Sequence, residues 1–196
     1  MLSALLLAGC AVTHLSNPFG SSKPTKKNSW STSVSEERLL DAAKTEGAGP
    51  IDVSVAGLTC PLINIWPRDR LITYYEGQAT GDALAIRHRG EITKVARECS
   101  VQPDRVEVKY GIAGKVLLGP RGQPGVVTLP IVVYVTDRQR NIISTQPHKV
   151  TVTITDGDPV GYFSIVKDVT VAVPVGAVPG DYVVYVAFDQ SASGRG

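Results

Sequence analysis

From Pro50 onward, apolar residues recur at every second position, the pattern of strands with one face buried. Val150, Val152 and Ile154 alternate with Thr151, Thr153 and Thr155. Leu129, Ile131, Val133 and Val135 repeat that spacing, as do Val169 to Val175 and then Tyr182, Val184, Val186 and Phe188. Shorter strands are predicted at Ile51 to Val55, Ile63 to Trp66, Leu71 to Tyr75, Leu84 to Arg89, Val95 to Cys99, Val106 to Tyr110 and Lys115 to Leu118. Gly119-Pro120, Pro124-Gly125, Asp137 to Asn141, Asp156-Gly157-Asp158 and Pro179-Gly180-Asp181 supply turns between them. No helix of a dozen residues fits between these segments, so parallel crossovers are excluded and the sheets should be mainly antiparallel. The expected fold is mainly β, an antiparallel β-sandwich over residues 50–190, with 50–100 either a separate small subdomain or part of the sandwich. Residues 191–196 read as a flexible tail.

Upstream the period changes. Ser33-Val34-Ser35-Glu36 fits a capping box, and Leu39, Leu40, Ala42 and Ala43 with a stop at Gly47 predict one short helix within 33–47. Its narrow apolar stripe should dock on the following domain or bind a partner. Between Ser16 and Ser35 stand seven Ser, with Pro18, Pro24, Lys23, Lys26 and Lys27, and no acidic residue precedes Glu36. So polar a stretch cannot bury enough surface to offset its ordering entropy, and residues 10–32 read as a flexible tether. Its lysines either face anionic lipid and peptidoglycan or merely solvate the chain.

Composition narrows the function. The 196 residues carry 20 Lys+Arg against 18 Asp+Glu, so no field strong enough to hold nucleic acid is available. Gly (19) and Pro (13) are too frequent for a helical bundle, and 43% hydrophobic residues exclude wholesale disorder.

The chain opens with the apolar run Met1 to Leu7 and reaches Leu7-Ala8-Gly9-Cys10. That run is too short to span a bilayer and reads as the core of an export signal over residues 1–9, although no Lys or Arg opens it. Leu7-Ala8-Gly9-Cys10 resembles the lipobox of bacterial lipoproteins. The resemblance implies cleavage before Cys10, acylation of its thiol, and anchoring by several acyl chains. Ala11 in place of Asp implies, by the same resemblance, the periplasmic face of the outer membrane. The alternative is Cys10 as a buried thiol of a core helix. Cys60 and Cys99 then remain as one pair in an oxidising compartment, either a disulfide or two buried thiols. Neither has a Cys-x-x-Cys partner or a nearby His, so no metal site is expected.

The tail Val169 to Phe188, with Pro179-Gly180-Asp181-Tyr182, resembles the last hairpin of immunoglobulin-like and fibronectin-III-like sandwiches. In that resemblance Tyr182 puts its ring in the core and its hydroxyl on a nearby backbone group. Such sandwiches host many functions, so the resemblance carries no activity.

Catalytic signatures are sparse. Neither Gly-x-Ser-x-Gly nor His-Glu-x-x-His occurs, and the Gly111-Ile112-Ala113-Gly114-Lys115 stretch lacks the spacing of a phosphate loop and reads as a turn between strands. His88 reads as half-buried on the face of Leu84 and Ile86, and His148 as a loop residue. Asp156 and Asp158 read as turn formers. No catalytic residue and no cofactor is expected. A partner surface is expected at Trp66, Arg68 and Arg70, where Trp beside Pro and Arg has interface composition, and at Arg138 and Arg140, which also read as a solvated hairpin tip. The leading expectation is an outer-membrane-anchored lipoprotein acting as a non-catalytic binding or structural component of an envelope assembly with protein partners. The alternative is a peptidoglycan or glycan binder stacking sugars on Trp66, Tyr74 or Tyr75. Third stands an envelope hydrolase using His88 with Asp69 or Asp82.

Overall fold

A computed structural model of the protein describes residues 34–44, 49–51 and 60–192, with backbone alone at 49–51 and 192. The leader over 1–9, Cys10, the tether over 10–32 and residues 193–196 of the expected tail lie outside the described residues.

Among the described residues one helix and nine strands follow in order: α1 (Glu36–Lys44), β1 (Gly49–Ile51), β2 (Leu62–Ile65), β3 (Leu71–Tyr75), β4 (Ile86–Val101), β5 (Arg105–Leu118), β6 (Gly125–Thr136), β7 (Ile142–Ile154), β8 (Val160–Ala172) and β9 (Val183–Phe188). They form two sheets. The first runs β1-β4-β5-β8, with β3 also pairing with β4; the second runs β2-β9-β6-β7. Most pairs are antiparallel, but β1 joins β4 and β2 joins β9 in parallel. Neither parallel pair requires a crossover helix, because β2 and β9 come from opposite ends of the domain.

The alternation seen in the sequence sends one side chain of every two into a shared core. Val106, Val108, Tyr110, Ile112 and Val116 of β5 point inward with Ile131, Val133, Val135, Val184 and Val186 of the other sheet. Cys60, just before β2, is bonded to Cys99 of β4 with Cα atoms 6.0 Å apart, so the disulfide ties the two sheets together.

Two pairs of short expected strands are in fact single long ones. β4 absorbs the segments expected at Leu84 to Arg89 and Val95 to Cys99, with a bulge between Ile92 and Lys94, while Ala83–Ala85 form a 3-10 turn. β5 runs unbroken through Gly111-Ile112-Ala113-Gly114, which is therefore strand and not turn. Packing accounts for those glycines. A Cβ at Gly114 would lie 2.2 Å from the Glu91 carbonyl oxygen and 2.5 Å from the Phe163 ring. A Cβ at Gly111 would lie 2.1 Å from Leu39 Cδ1. Gly111 is thus the seat of α1, whose Leu39 and Ala43 join Val34, Ala96 and Ala113 in a second small apolar cluster outside the first sheet. Two carboxylates fasten this layer: Glu98 accepts from the Val34 N–H at 3.2 Å, and Glu36 accepts from the Val166 N–H at 3.3 Å. Glu36 thereby occupies a donor on β8, the outermost strand of its sheet.

At the chain's end, the strand expected to reach Val175 stops at Ala172 and a loop follows. Tyr182 does bury its ring in the core, at 7% exposure, but among the described residues its hydroxyl has no hydrogen-bond partner. The expected tail begins with a 3-10 turn, Gln190–Ala192, where the Gln190 amide donates to the Leu71 carbonyl at 2.8 Å.

Candidate functional site

The outer faces of the two sheets differ in charge. On the first sheet β4 alone points Arg87, Arg89, Glu91, Lys94 and Glu98 outward, opposite to the inward Val95 and Ile92. On the second sheet the residues alternating with the core positions are Thr, Val, Pro, Tyr, Ile, Ala, Leu and Asn, and Lys149 is the single charged side chain that β2, β6, β7 and β9 place there. A sheet face meeting water normally alternates with charged and polar residues. This one keeps hydroxyls at Thr128, Thr145, Thr151 and Thr153 and carries almost no charge.

Three rings mark the centre of that face. Tyr134 of β6 and Tyr185 of β9 are directly paired across the antiparallel ladder. Trp66, immediately after β2, lies edge-on to both, with centroids 4.7 Å from Tyr185 and 6.5 Å from Tyr134. The Trp66 N–H donates to the Val186 carbonyl at 2.8 Å, extending the parallel pairing by one residue and fixing the indole on this side. All three rings are half-buried. Near them Leu62 and Ile143 remain 52% and 49% exposed, Val132 and Ala187 are buried, and Val126, at the far end of β6, is 68% exposed.

A polar seam crosses the interior where β7 faces the first sheet. Tyr110, fully buried, donates to Gln146 Oε1 at 2.8 Å and meets His148 Nε2 at 2.8 Å. With the phenol proton directed to Gln146, Nε2 of His148 is the donor to the Tyr110 oxygen. Burial, and then Asp168, push the Tyr110 pKa well up; burial, and then Lys167, lower that of His148. The seam packs the sheets together, and burial disfavours charge on both its phenol and its imidazole.

His148 is therefore in a strand, contrary to the loop expected for it; Pro147, which suggested a break, lies on an outermost strand where a missing donor is tolerated. His88 is half-buried as expected, but Leu84 does not share its face, being in the 3-10 turn and 72% exposed. The His88 ring stacks on Tyr74 at 4.5 Å, and burial, with Arg87 beside it, lowers its pKa to about 4. Asp82 accepts from the Leu84 N–H at 2.9 Å.

The expected partner residues separate. Trp66 stands in the aromatic centre, and Arg68 is exposed in the 3-10 turn Pro67–Asp69 beside it. Arg70 is tied to Glu91, Nη2 to Oε1 at 2.5 Å, so its charge is already matched. Arg138 is held by Asp181 through both Nε and Nη2, an arrangement that lowers the Asp181 pKa. The pair borders a cavity of about 310 Å³ with Asp137, Val175 and Tyr182. Arg140 stands at the exposed β6–β7 turn with a positive φ of 68°. Tyr74, expected as a stacking platform, packs on His88 and against the core, and Tyr75 is half-buried. Tyr134 and Tyr185 were not singled out by sequence; each stands between inward Val residues at period two, which places it outward, but only the pairing of β6 with β9 brings the two together.

No protein-family model matches the chain, and no curated protein matches it. One solved structure, the variable (V) domain of the Streptococcus agalactiae AgI/II polypeptide BspA, aligns with 64% of this chain and 75% of its own at 11% identity and a TM-score of 0.19. A score of that size describes no shared fold.

Proposed function

We propose that this protein is a lipid-anchored, non-catalytic binding component of a bacterial cell envelope, a sandwich of immunoglobulin-like or fibronectin-III-like type held by the Cys10 lipid at the periplasmic face of the outer membrane. The observation that carries the binding role is the nearly uncharged outer face of the second sheet with Trp66, Tyr134 and Tyr185 at its centre. Large rings amid small apolar residues are the composition of interface centres. The Cys60–Cys99 bond supports an oxidising compartment, and the lipobox supports the anchor. The tether then lets the domain reach a partner from the membrane surface.

The test is site-specific photo-crosslinking in cells. A crosslinker at Leu62, exposed beside the rings, is expected to yield a discrete adduct, and one at Arg87 on the charged face none. Equal yields at both sites, or no adduct at Leu62, would contradict the reading.

A glycan partner is a second reading, favoured by the Trp66 indole alone. Retention on purified sacculi that falls in Trp66→Ala and not in Tyr75→Ala would support it; retention no greater than a buffer control removes it.

A further inference from the structure

We infer that the occupant of the uncharged outer face is a second copy of this chain, the two copies packing their second sheets face to face about a two-fold axis. The inference rests on the reading of that face as the contact surface and names what meets it.

Size is the first argument. β6 and β7 run 12 and 13 residues and β9 and β2 six and four. At about 3.3 Å per residue and about 4.8 Å between strands, the face has a footprint on the order of 550 Å². Two copies would then bury on the order of 1,100 Å², just above the roughly 1,000 Å² a specific interface needs. Charge is the second. An isologous contact presents each face to itself, so a face rich in one charge repels its own copy near the axis. Here the four strands place one charge on the face, Lys149 on the outermost strand β7, and Arg68 adds a second in the exposed turn after Trp66. An identical face offers matching rings and methyl groups. Layout is the third: Trp66, Tyr134 and Tyr185 lie centrally, while Thr145, Thr151 and Thr153 of β7 form a hydroxyl margin, the apolar-centre and polar-rim order of protein interfaces. Face-to-face sheets pack with strands about 30° apart, which twisted four-stranded sheets accommodate. Anchoring both copies to one membrane would raise their effective concentration.

The experiment is sedimentation velocity of the full chain carrying Cys10→Ala, from 1 to 100 µM on the order of a hundredfold range. Val126→Glu and Ile143→Glu change exposed positions on the face and leave the core intact; Arg89→Glu on the opposite sheet is the control. The expected result is a dimer in the parent and in Arg89→Glu, with dissociation at least about tenfold easier in each of the other two. A parent that stays monomeric throughout, or a dimer indifferent to both Val126→Glu and Ile143→Glu, overturns the inference. The Leu62 crosslink separates the two readings: an adduct of twice the chain mass supports both, an adduct with a different protein overturns the dimer and leaves the binding role standing, and no adduct overturns both.

Discussion

At the residue scale, the sharpest constraints come from side chains whose environment allows little else. Gly114 is one, because the Glu91 carbonyl oxygen and the Phe163 ring occupy the space of a Cβ. Gly114→Ala should destabilise the fold by about 2 kcal/mol or more, read as a shift in urea midpoint at unchanged slope. Gly111→Ala meets the flexible end of Leu39 instead, so its effect should be local: faster amide exchange within α1 and little change in the sheets. His88 makes a pH prediction. Its folded pKa, lowered to about 4, lies below the ordinary histidine value of 6.5, so the unfolded chain takes up the proton first. The stability it contributes is full above pH 6.5 and is lost as pH falls toward 4. Screened by the solvent that still reaches the ring, the loss is about 2 kcal/mol, and a His88→Gln variant should lack this part of the acid dependence in denaturation curves between those pH values.

At the element scale, the disulfide and the polar seam join the sheets by different means. Cys60 and Cys99 are 39 residues apart, and removing both as Cys60→Ser with Cys99→Ser should cost about 4 kcal/mol by loop-closure entropy. Reductant should reproduce that loss in the parent and have no effect on the double variant. Tyr110→Phe removes the hydroxyl that Gln146 and His148 share and should cost about 1–3 kcal/mol in thermal or chemical unfolding. Much of this architecture was legible beforehand. Period two in Val150 to Ile154 and Leu129 to Val135 identified β7 and β6 because their Thr and Val alternation has a single meaning. The interruptions were misread for a physical reason. Glycine in a sequence signals a turn, yet Gly111 and Gly114 exist to admit Leu39 and Phe163, partners 72 and 49 residues away that no local pattern exposes. Arg70 and Arg138 looked like free cations for the same reason: Glu91 and Asp181 are distant in sequence and adjacent only after folding.

At the scale of the whole molecule, the two sheets present unlike surfaces. One carries charge and a docked helix; the other is nearly uncharged and centred on three rings, of which sequence alone identified Trp66. The asymmetry follows from alternation, because outward positions of β6, β7 and β9 are as fixed as inward ones, and Thr, Tyr and Pro stand where a solvated sheet would carry Lys and Glu. In the proposed reading, a lipid on Cys10 sets where the molecule sits and the outer face of the second sheet sets what it meets. Its anchoring is the premise on which the envelope role depends. The most direct measurement is the intact mass of the protein isolated from its own host after growth with an alkyne palmitate. The account predicts a chain beginning at Cys10 that carries acyl mass and label, both lost in Cys10→Ala. A full-length chain with a free Cys10 thiol, or equal labelling of the variant, would contradict it.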